Sequence, residues 1–353
     1  MPRIRVLVVE DSLTVRRRLV EILAADPDLE VVGEAADGAA AIALCAALHP
    51  DVITLDLVLP GVDGLAVTEQ IMAHQPTPIL VVSAADNRGE LFQTYAALAA
   101  GALEVLEKPT GDEPGLEWER RLVARTKMIS RIKVITHLRG RLPVRSPATD
   151  AIRRQQAAAR GFAAVAIGTS TGGPGALVRL LGGLDAAFPV PILAVIHLGA
   201  PFGDGFARWL DQHTPLGVAN AVDGEPLPSG GGRVIVAPPE THLVLRGGCL
   251  RLTRDEPRQS CRPSVDVLFE SLAVLGARAI GCLLTGMGKD GAQGLLAMRN
   301  AGATTIAQDE ASSVVFGMPR EASEIGAAGR VLPLGGIAAE LTRLVRGGAA
   351  TAP

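Results

Sequence analysis

The sequence predicts an α/β protein of two domains: an N-terminal flavodoxin-like domain with a five-stranded parallel sheet, and a C-terminal doubly wound, mostly parallel one. Three observations carry this. Short apolar runs alternate with amphipathic stretches from the first residues onward, the rhythm of strands joined by crossover helices. The chain has 353 residues, more than one ordinary domain of roughly 100–200 uses. The rhythm also stops in a basic, proline-containing stretch and then restarts, with no internal repeat relating the halves.

In the first half Arg5–Val9, Val31–Gly33, Val52–Leu57, Ile79–Ser83 and Leu103–Leu106 are strand-like. Helices belong between them, such as Ser12–Ala24, which opens on Ser-x-Thr and stops before Asp26-Pro27, and Gly38–Leu48, which stops before Pro50. This domain is expected over residues 1–124, with a basic linker over 125–160. Twelve Lys or Arg between Leu116 and Arg160 face only Glu117, Glu119 and Asp150, which reads as a helix running into a solvated connector. A contact surface for acidic groups is the sharper alternative. In the second domain, expected over 161–348, the strand-like runs are Ala163–Gly168, Val190–His197, Arg233–Ala237, His242–Leu245, Ala279–Thr285 and Ala303–Ala307. The residues from Arg346 onward read as a frayed tail.

Composition narrows the function. A net charge of −3 and aromatics at 3% give little material for coating nucleic acid or stacking on single strands, so no nucleic-acid partner is expected. Cys45, Cys249, Cys261 and Cys282 are far apart with no Cys-x-x-Cys pair, which argues against a zinc module or a disulfide scaffold. Cys45 and Cys282 lie in apolar runs and read as core thiols. The N-terminus enters a strand-like run without a signal-peptide pattern, and no apolar run reaches the ~20 residues of a membrane span. A cytoplasmic address without membrane insertion is the expectation.

Ligands of open parallel sheets bind beyond the carboxyl ends of the strands, so the residues there carry the chemistry. In the first domain they are Glu10, Asp11, Asp56, Ser83 and Lys108. Three crowded carboxylates repel one another until a hard cation relieves them, and Mg²⁺ suits a few carboxylates plus phosphate oxygens. Glu10, Asp11 and Asp56 are therefore the expected Mg²⁺ ligands. Asp56 would be the nucleophile for an acyl phosphate, with Ser83 and Lys108 expected to contact its phosphoryl oxygens. Taken singly, Asp11 or Asp56 reads more readily as a helix cap; it is the set at four strand ends that points to a site.

Val-Val-Glu-Asp-Ser, Asp56 in Leu-Asp-Leu-Val-Leu-Pro-Gly-Val-Asp-Gly-Leu, Val-Val-Ser-Ala and Glu-Lys-Pro together resemble the response-regulator receiver domain. The resemblance implies Mg²⁺-dependent phosphorylation of Asp56 by a histidine kinase. The position often aromatic in that family is Val105 here, which puts a switch by ring rotation in doubt.

In the second domain Gly168-x-Ser170-x-Gly172 follows a strand and precedes a helix, a turn that exposes a serine hydroxyl beside helix N–H groups. A phosphate loop competes, but the third glycine of its dinucleotide fingerprint falls on Val178, and Gly288-Lys289 lacks the upstream glycine. The serine needs a base. Among His197, His213 and His242, His197 is favoured because it alone closes a long apolar strand, while His213 sits at a helix end and His242 opens a strand. Asp290, beyond another apolar strand, would fix its tautomer. By itself Asp290 reads equally as a helix N-cap. Cys261, flanked by Arg258 and Arg262, is a minor alternative nucleophile.

Ile-Gly-Thr-Ser-Thr-Gly-Gly-Pro, the His197 strand, Arg262-Pro-Ser-Val-Asp, Leu-Thr-Gly-Met-Gly-Lys-Asp-Gly-Ala and Ala-Gln-Asp-Glu-Ala-Ser-Ser-Val-Val-Phe-Gly-Met-Pro-Arg resemble the catalytic domain of chemotaxis protein-glutamate methylesterases. The resemblance implies Ser170 as nucleophile, His197 as base, Asp290 as its orienter, and Met287 N–H with Thr171 at the oxyanion. It also implies demethylation and deamidation of chemoreceptor cytoplasmic domains, no cofactor for the esterase step, and a receiver that covers the cleft until Asp56 is phosphorylated. The chain departs from the pattern at Cys261, where the family commonly has His, and at Leu198-Gly-Ala-Pro-Phe-Gly. Two rival readings are a DNA-binding output, which predicts a short helix-turn-helix instead of a second α/β domain, and an idle output domain acting as phosphate sink or scaffold.

Overall fold

The computed structural model describes residues 2–84, 88–109, 116–132, 134 and 161–347. They fall into two compact units. Most of the basic linker and the last six residues lie outside the described residues.

The first unit runs β1 (Ile4–Val9), α1 (Leu13–Ala24), β2 (Leu29–Ala35), α2 (Gly38–Leu48), β3 (Val52–Leu55), α3 (Gly64–His74), β4 (Ile79–Ser83), α4 (Arg88–Ala100), β5 (Glu104–Glu107) and α5 (Glu117–Ile129). Its five strands are parallel in the order β2-β1-β3-β4-β5, the predicted flavodoxin-like sheet. Helices cover both faces, so β3 and β4 are buried throughout and read as unbroken apolar runs. Asp37 and Asp63 cap α2 and α3 by accepting from Ala40 N and Ala66 N, each at 2.8 Å. Position 124, expected as the end of the domain, falls inside α5. This helix continues because Trp118, Leu122, Thr126 and Ile129 recur at helical spacing on one buried face.

The second unit comprises β6 (Ala164–Thr169), α6 (Gly173–Gly182), β7 (Ile192–Ile196), α7 (Phe206–Gln212), β8 (Gly217–Asn220), β9 (Arg233–Val236), β10 (His242–Arg246), β11 (Cys249–Thr253), α8 (Val265–Leu272), β12 (Ala279–Leu283), α9 (Ala292–Asn300), β13 (Thr304–Gln308), α10 (Met318–Glu324), β14 (Arg330–Leu332) and α11 (Leu334–Arg346). Seven strands form a parallel sheet in the order β14-β13-β12-β6-β7-β9-β8. The chain enters at β6, builds outward through β7, and later returns to the other side of β6 with β12. The crevice beyond these three strands is a topological switch point.

The run at His242–Leu245 does not join this sheet. It pairs with β11 as a separate antiparallel hairpin, because Gly247 and Gly248 adopt φ of 60° and 80° and close a two-residue turn. The edge strands β8 and β14 were not anticipated. They are short and partly exposed, so they carry little apolar signal.

Candidate functional site

In the first unit Glu10 and Asp56, both buried, stand at the ends of the neighbouring strands β1 and β3. Lys108 Nζ lies 2.9 Å from Glu10 Oε2 and 2.9 Å from Asp56 Oδ2. Asp11 is exposed, yet one oxygen from each of Glu10, Asp11 and Asp56 lies within 4.8 Å of the others. Arg16 holds the turn by donating to Glu10 O at 2.6 Å and Asp11 O at 3.2 Å. Burial, joined by the Asp56 charge, pushes the Glu10 carboxyl up against the pull of Lys108. Burial disfavours the Lys108 ammonium, but its bonds to Glu10 and Asp56 win and its pKa is raised. Ser83 is fully buried at the end of β4, where its hydroxyl donates to Ala84 O at 3.2 Å and its carbonyl accepts from Lys108 N at 3.0 Å. The five predicted residues thus converge at one end of the sheet. An all-oxygen donor set with more negative charge than one lysine offsets fits a hard divalent cation.

In the second unit Thr169 and Ile196 are paired across β6 and β7, and His197 N donates to Thr169 O at 3.2 Å. Ser170 and His197 therefore leave the sheet side by side, about 4.8 Å apart in strand spacing. The turn that carries Ser170 is braced from below. Ser170 N donates to Thr285 O at 3.0 Å, Thr285 Oγ1 donates to Thr171 O at 3.0 Å, and the buried Gln308 accepts from Thr285 N at 2.8 Å. Gly172 has φ of 78° at the start of α6, and a Cβ there would lie 2.6 Å from Val314. Among the described residues no acceptor pairs with Thr171 N–H or Met287 N–H.

His197 Nε2 lies 2.8 Å from Asp290 Oδ2, so Nε2–H donates and the lone pair of the neutral ring sits on Nδ1. Asp290 caps α8, a helix other than the one it precedes. It accepts from Ser264 Oγ at 2.7 Å, Val265 N at 2.7 Å and Asp266 N at 3.0 Å. Burial alone raises the Asp290 carboxyl, but the His197 bond and these donors hold it below its ordinary value. Burial likewise disfavours the His197 imidazolium, and the bonds to Asp290 and then Cys261 overcome it, pushing the ring up to about 9.

Ser170 Oγ makes no hydrogen bond to the ring, so an unbroken serine–histidine–aspartate row is not formed. The group on Nδ1 is Cys261 Sγ, at 3.7 Å. Sequence reasoning missed this partner, and missed Ser264 as the residue that locks Asp290. A serine directly before the apolar run of α8 was the available N-cap signal. His242 does not line the crevice. It is fully buried, accepting from Ser264 N at 3.1 Å and donating to Glu256 O at 3.2 Å, and so braces the same turn. His213 binds Trp209 O at 2.7 Å at the end of α7, as its helix-end position suggested.

A carboxylate pocket at the end of a flavodoxin-like sheet, followed by a histidine–aspartate pair beside an exposed-turn serine, defines a response regulator with a hydrolase output domain. Comparison with known proteins agrees. Residues 6–117 match the response regulator receiver domain and residues 165–341 match the CheB methylesterase family. Protein-glutamate methylesterase/protein-glutamine glutaminase 2 of Anaeromyxobacter dehalogenans is 46% identical, with 97% of each chain covered. The counterpart numbered 4 in Myxococcus xanthus is 43% identical, with 98% of each covered. The catalytic domain of the Thermotoga maritima CheB methylesterase superposes with a TM-score of 0.50 at 36% identity, covering 52% of this chain and 99% of that one. The chain belongs to the protein-glutamate methylesterase/protein-glutamine glutaminase family. Among the described residues no helix is long and apolar enough to cross a membrane.

Proposed function

We propose that this chain is a phosphorylation-activated hydrolase that converts glutamate γ-methyl esters of chemoreceptor cytoplasmic domains to glutamate and methanol, and deamidates particular glutamines there. The observation that carries it is the 2.8 Å His197–Asp290 bond at the switch point, one strand away from Ser170. Ser170 Oγ attacks the ester carbonyl as its proton passes to His197 Nδ1. The oxyanion accepts from the Thr171 and Met287 N–H groups, and His197 returns the proton to the departing methanol. Water then attacks the acyl-enzyme with Nδ1 again as base. Asp290 keeps the ring in the tautomer that leaves Nδ1 open. Catalytic hydrogen bonds often tighten only with substrate in place, which suits a serine not yet bonded to its base.

In the receiver unit, expected over residues 1–124 and continued by α5, Asp56 accepts the phosphoryl group from a chemotaxis histidine kinase. Glu10, Asp11 and Asp56 would hold Mg²⁺, which supplies charge neutralisation for the incoming phosphoryl group. Lys108 and Ser83 then turn from their present partners to phosphoryl oxygens. The connector to residue 160 joins this unit to the catalytic one at 161–348, and the protein works in the cytoplasm. Ser170→Ala should lower methanol release from methylated receptor membranes by several orders of magnitude while Asp56 phosphorylation by a small phosphodonor stays intact. Unchanged methanol release in that variant overturns the assignment.

A further inference from the structure

We propose that Cys261 Sγ and His197 Nδ1 form a binding site for a thiophilic divalent cation, of which Zn²⁺ is the representative, and that its occupancy shuts the esterase off. The inhibitory half rests on His197 acting as the base; the binding half does not. Zn²⁺ held by an imidazole nitrogen at about 2.0–2.1 Å and a thiolate at about 2.3 Å with a tetrahedral angle sets those atoms roughly 3.6 Å apart. The observed separation is 3.7 Å.

The rest of the ring's environment matches. A metal-bound histidine usually gives its other N–H to a carboxylate, and His197 Nε2 already does so to Asp290 at 2.8 Å. Asp290 is filled by Ser264 Oγ, Val265 N and Asp266 N, so it orients the ring and leaves ligation to Nδ1 and the thiol. One oxygen, nitrogen or sulfur of each of His197, Cys261 and Asp290 lies within 4.8 Å of the others, and neither His197 nor Cys261 is fully buried.

The thiol is delivered by a constrained loop. Arg258 and Cys261 exchange backbone hydrogen bonds of 3.1 and 2.8 Å, and the two residues between them, Gln259 and Ser260, have φ of 51° and 61°. Neither is glycine, so the turn carries strain. The flanking positive charges are answered: Arg258 makes bonds of 2.9 and 2.7 Å to Glu270, and Arg262 lies 3.3 Å from Glu240. On binding, the Cys261 S–H proton and the proton on Nδ1 of the charged ring pass to solvent, Sγ and Nδ1 donate their electron pairs to the metal, and water completes the coordination. Nδ1 then has no lone pair for the Ser170 proton.

The test uses the full chain in chelator-treated buffer with CoCl₂ as spectroscopic probe and ZnCl₂ as inhibitor. Wild type and Ser170→Ala should both show a thiolate-to-cobalt charge-transfer band, and Cys261→Ala, folded by its melting curve, should not. Carboxylates of the receiver give no such band, so cobalt bound there does not interfere. Zn²⁺ should inhibit ester hydrolysis by wild type reversibly on EDTA addition, with Cys261→Ala at least tenfold more resistant. A missing band in wild type, or one that survives in Cys261→Ala, overturns the site. A Cys261-dependent band without inhibition overturns the inhibitory half and, separately, the assignment of His197 as base.

Discussion

The ring of His197 offers a measurement that depends on its two neighbours together. Its pKa is pushed up to about 9 by the bonds to Asp290 and Cys261, against burial that favours the neutral ring. Only the neutral ring can take the Ser170 proton. At pH 7 a group titrating near 9 is about 1% neutral, whereas at its ordinary 6.5 it would be roughly three-quarters neutral. The sign follows: a proton on Nδ1 inhibits, so kcat/KM should climb about tenfold per pH unit through neutrality and level off only near 9. Cys261→Ala removes one of the two groups that favour the proton and leaves burial opposed by Asp290 alone, so its inflection should move down. The assay is methanol release from a γ-methyl-glutamyl peptide at subsaturating concentration from pH 6 to 10, with EDTA present and Ser170→Ala as background. The same proton stabilises the fold at low pH, a contribution present in full below 6.5 and lost as pH rises through about 9. A wild-type profile that levels off by pH 7, or an inflection indifferent to Cys261, refutes the reasoning.

Two further outcomes concern the scaffolds. A Cβ on Gly168 would lie 2.1 Å from Val265 Cγ1, so Gly168→Ala should cost about 1–3 kcal/mol and displace the α8 turn that holds Asp290. Calorimetry of the full chain should show the second unit melting earlier with the first unit unchanged; an unmoved transition contradicts this packing. In the first unit, Glu10 is raised above its ordinary 4.5, so its contribution to stability is present at low pH and lost as pH rises through that raised value. Mg²⁺ should therefore stabilise this unit at neutral pH, by about 2.7 kcal/mol at a hundredfold excess over Kd. Glu10→Gln should remove most of the Mg²⁺ effect in a thermal-shift titration, and an undiminished effect would place the cation elsewhere.

Much of this was readable without coordinates, for a definite reason. Parallel strands covered on both faces leave continuous apolar runs, and the residue after each run is set at the sheet's carboxyl end by topology alone. Glu10, Asp56, Ser83, Lys108 and His197 were singled out by that rule, and Ser170 by its Gly-x-Ser-x-Gly turn at a strand end. It fails where a contact depends on a segment that is not a buried strand. Cys261 arrives on a two-residue turn whose central residues carry no glycine, so nothing in the local sequence announces a reversal there. The His242–Leu245 run reads with the other strands of the second domain and β11 was not anticipated, because a strand's apolar run does not say which sheet receives it. Asp290 illustrates a subtler limit: its N-cap reading named the right chemistry but the wrong helix. Its partners at Ser264, Val265 and Asp266 are over twenty residues earlier and meet it only because Gly168 and Gly291 let Val265 pack closely.

The two sites solve the problem of a buried carboxylate in opposite ways, and the difference decides which metal each can take. Glu10 and Asp56 share a single ammonium, with Asp11 adding further negative charge. That oxygen-rich deficit of donors suits a hard cation whose arrival neutralises repulsion. Asp290 instead receives four hydrogen bonds, from His197, Ser264, Val265 and Asp266, and is held ionised without any cation. Its oxygens have no reason to leave those donors. What remains open at that crevice is one imidazole nitrogen and one thiol, a soft pair that discriminates against Mg²⁺ and in favour of Zn²⁺. Mg²⁺ at the receiver should therefore leave the esterase crevice alone, and the effect of a thiophilic ion on the esterase should depend on Cys261 and not on Asp56.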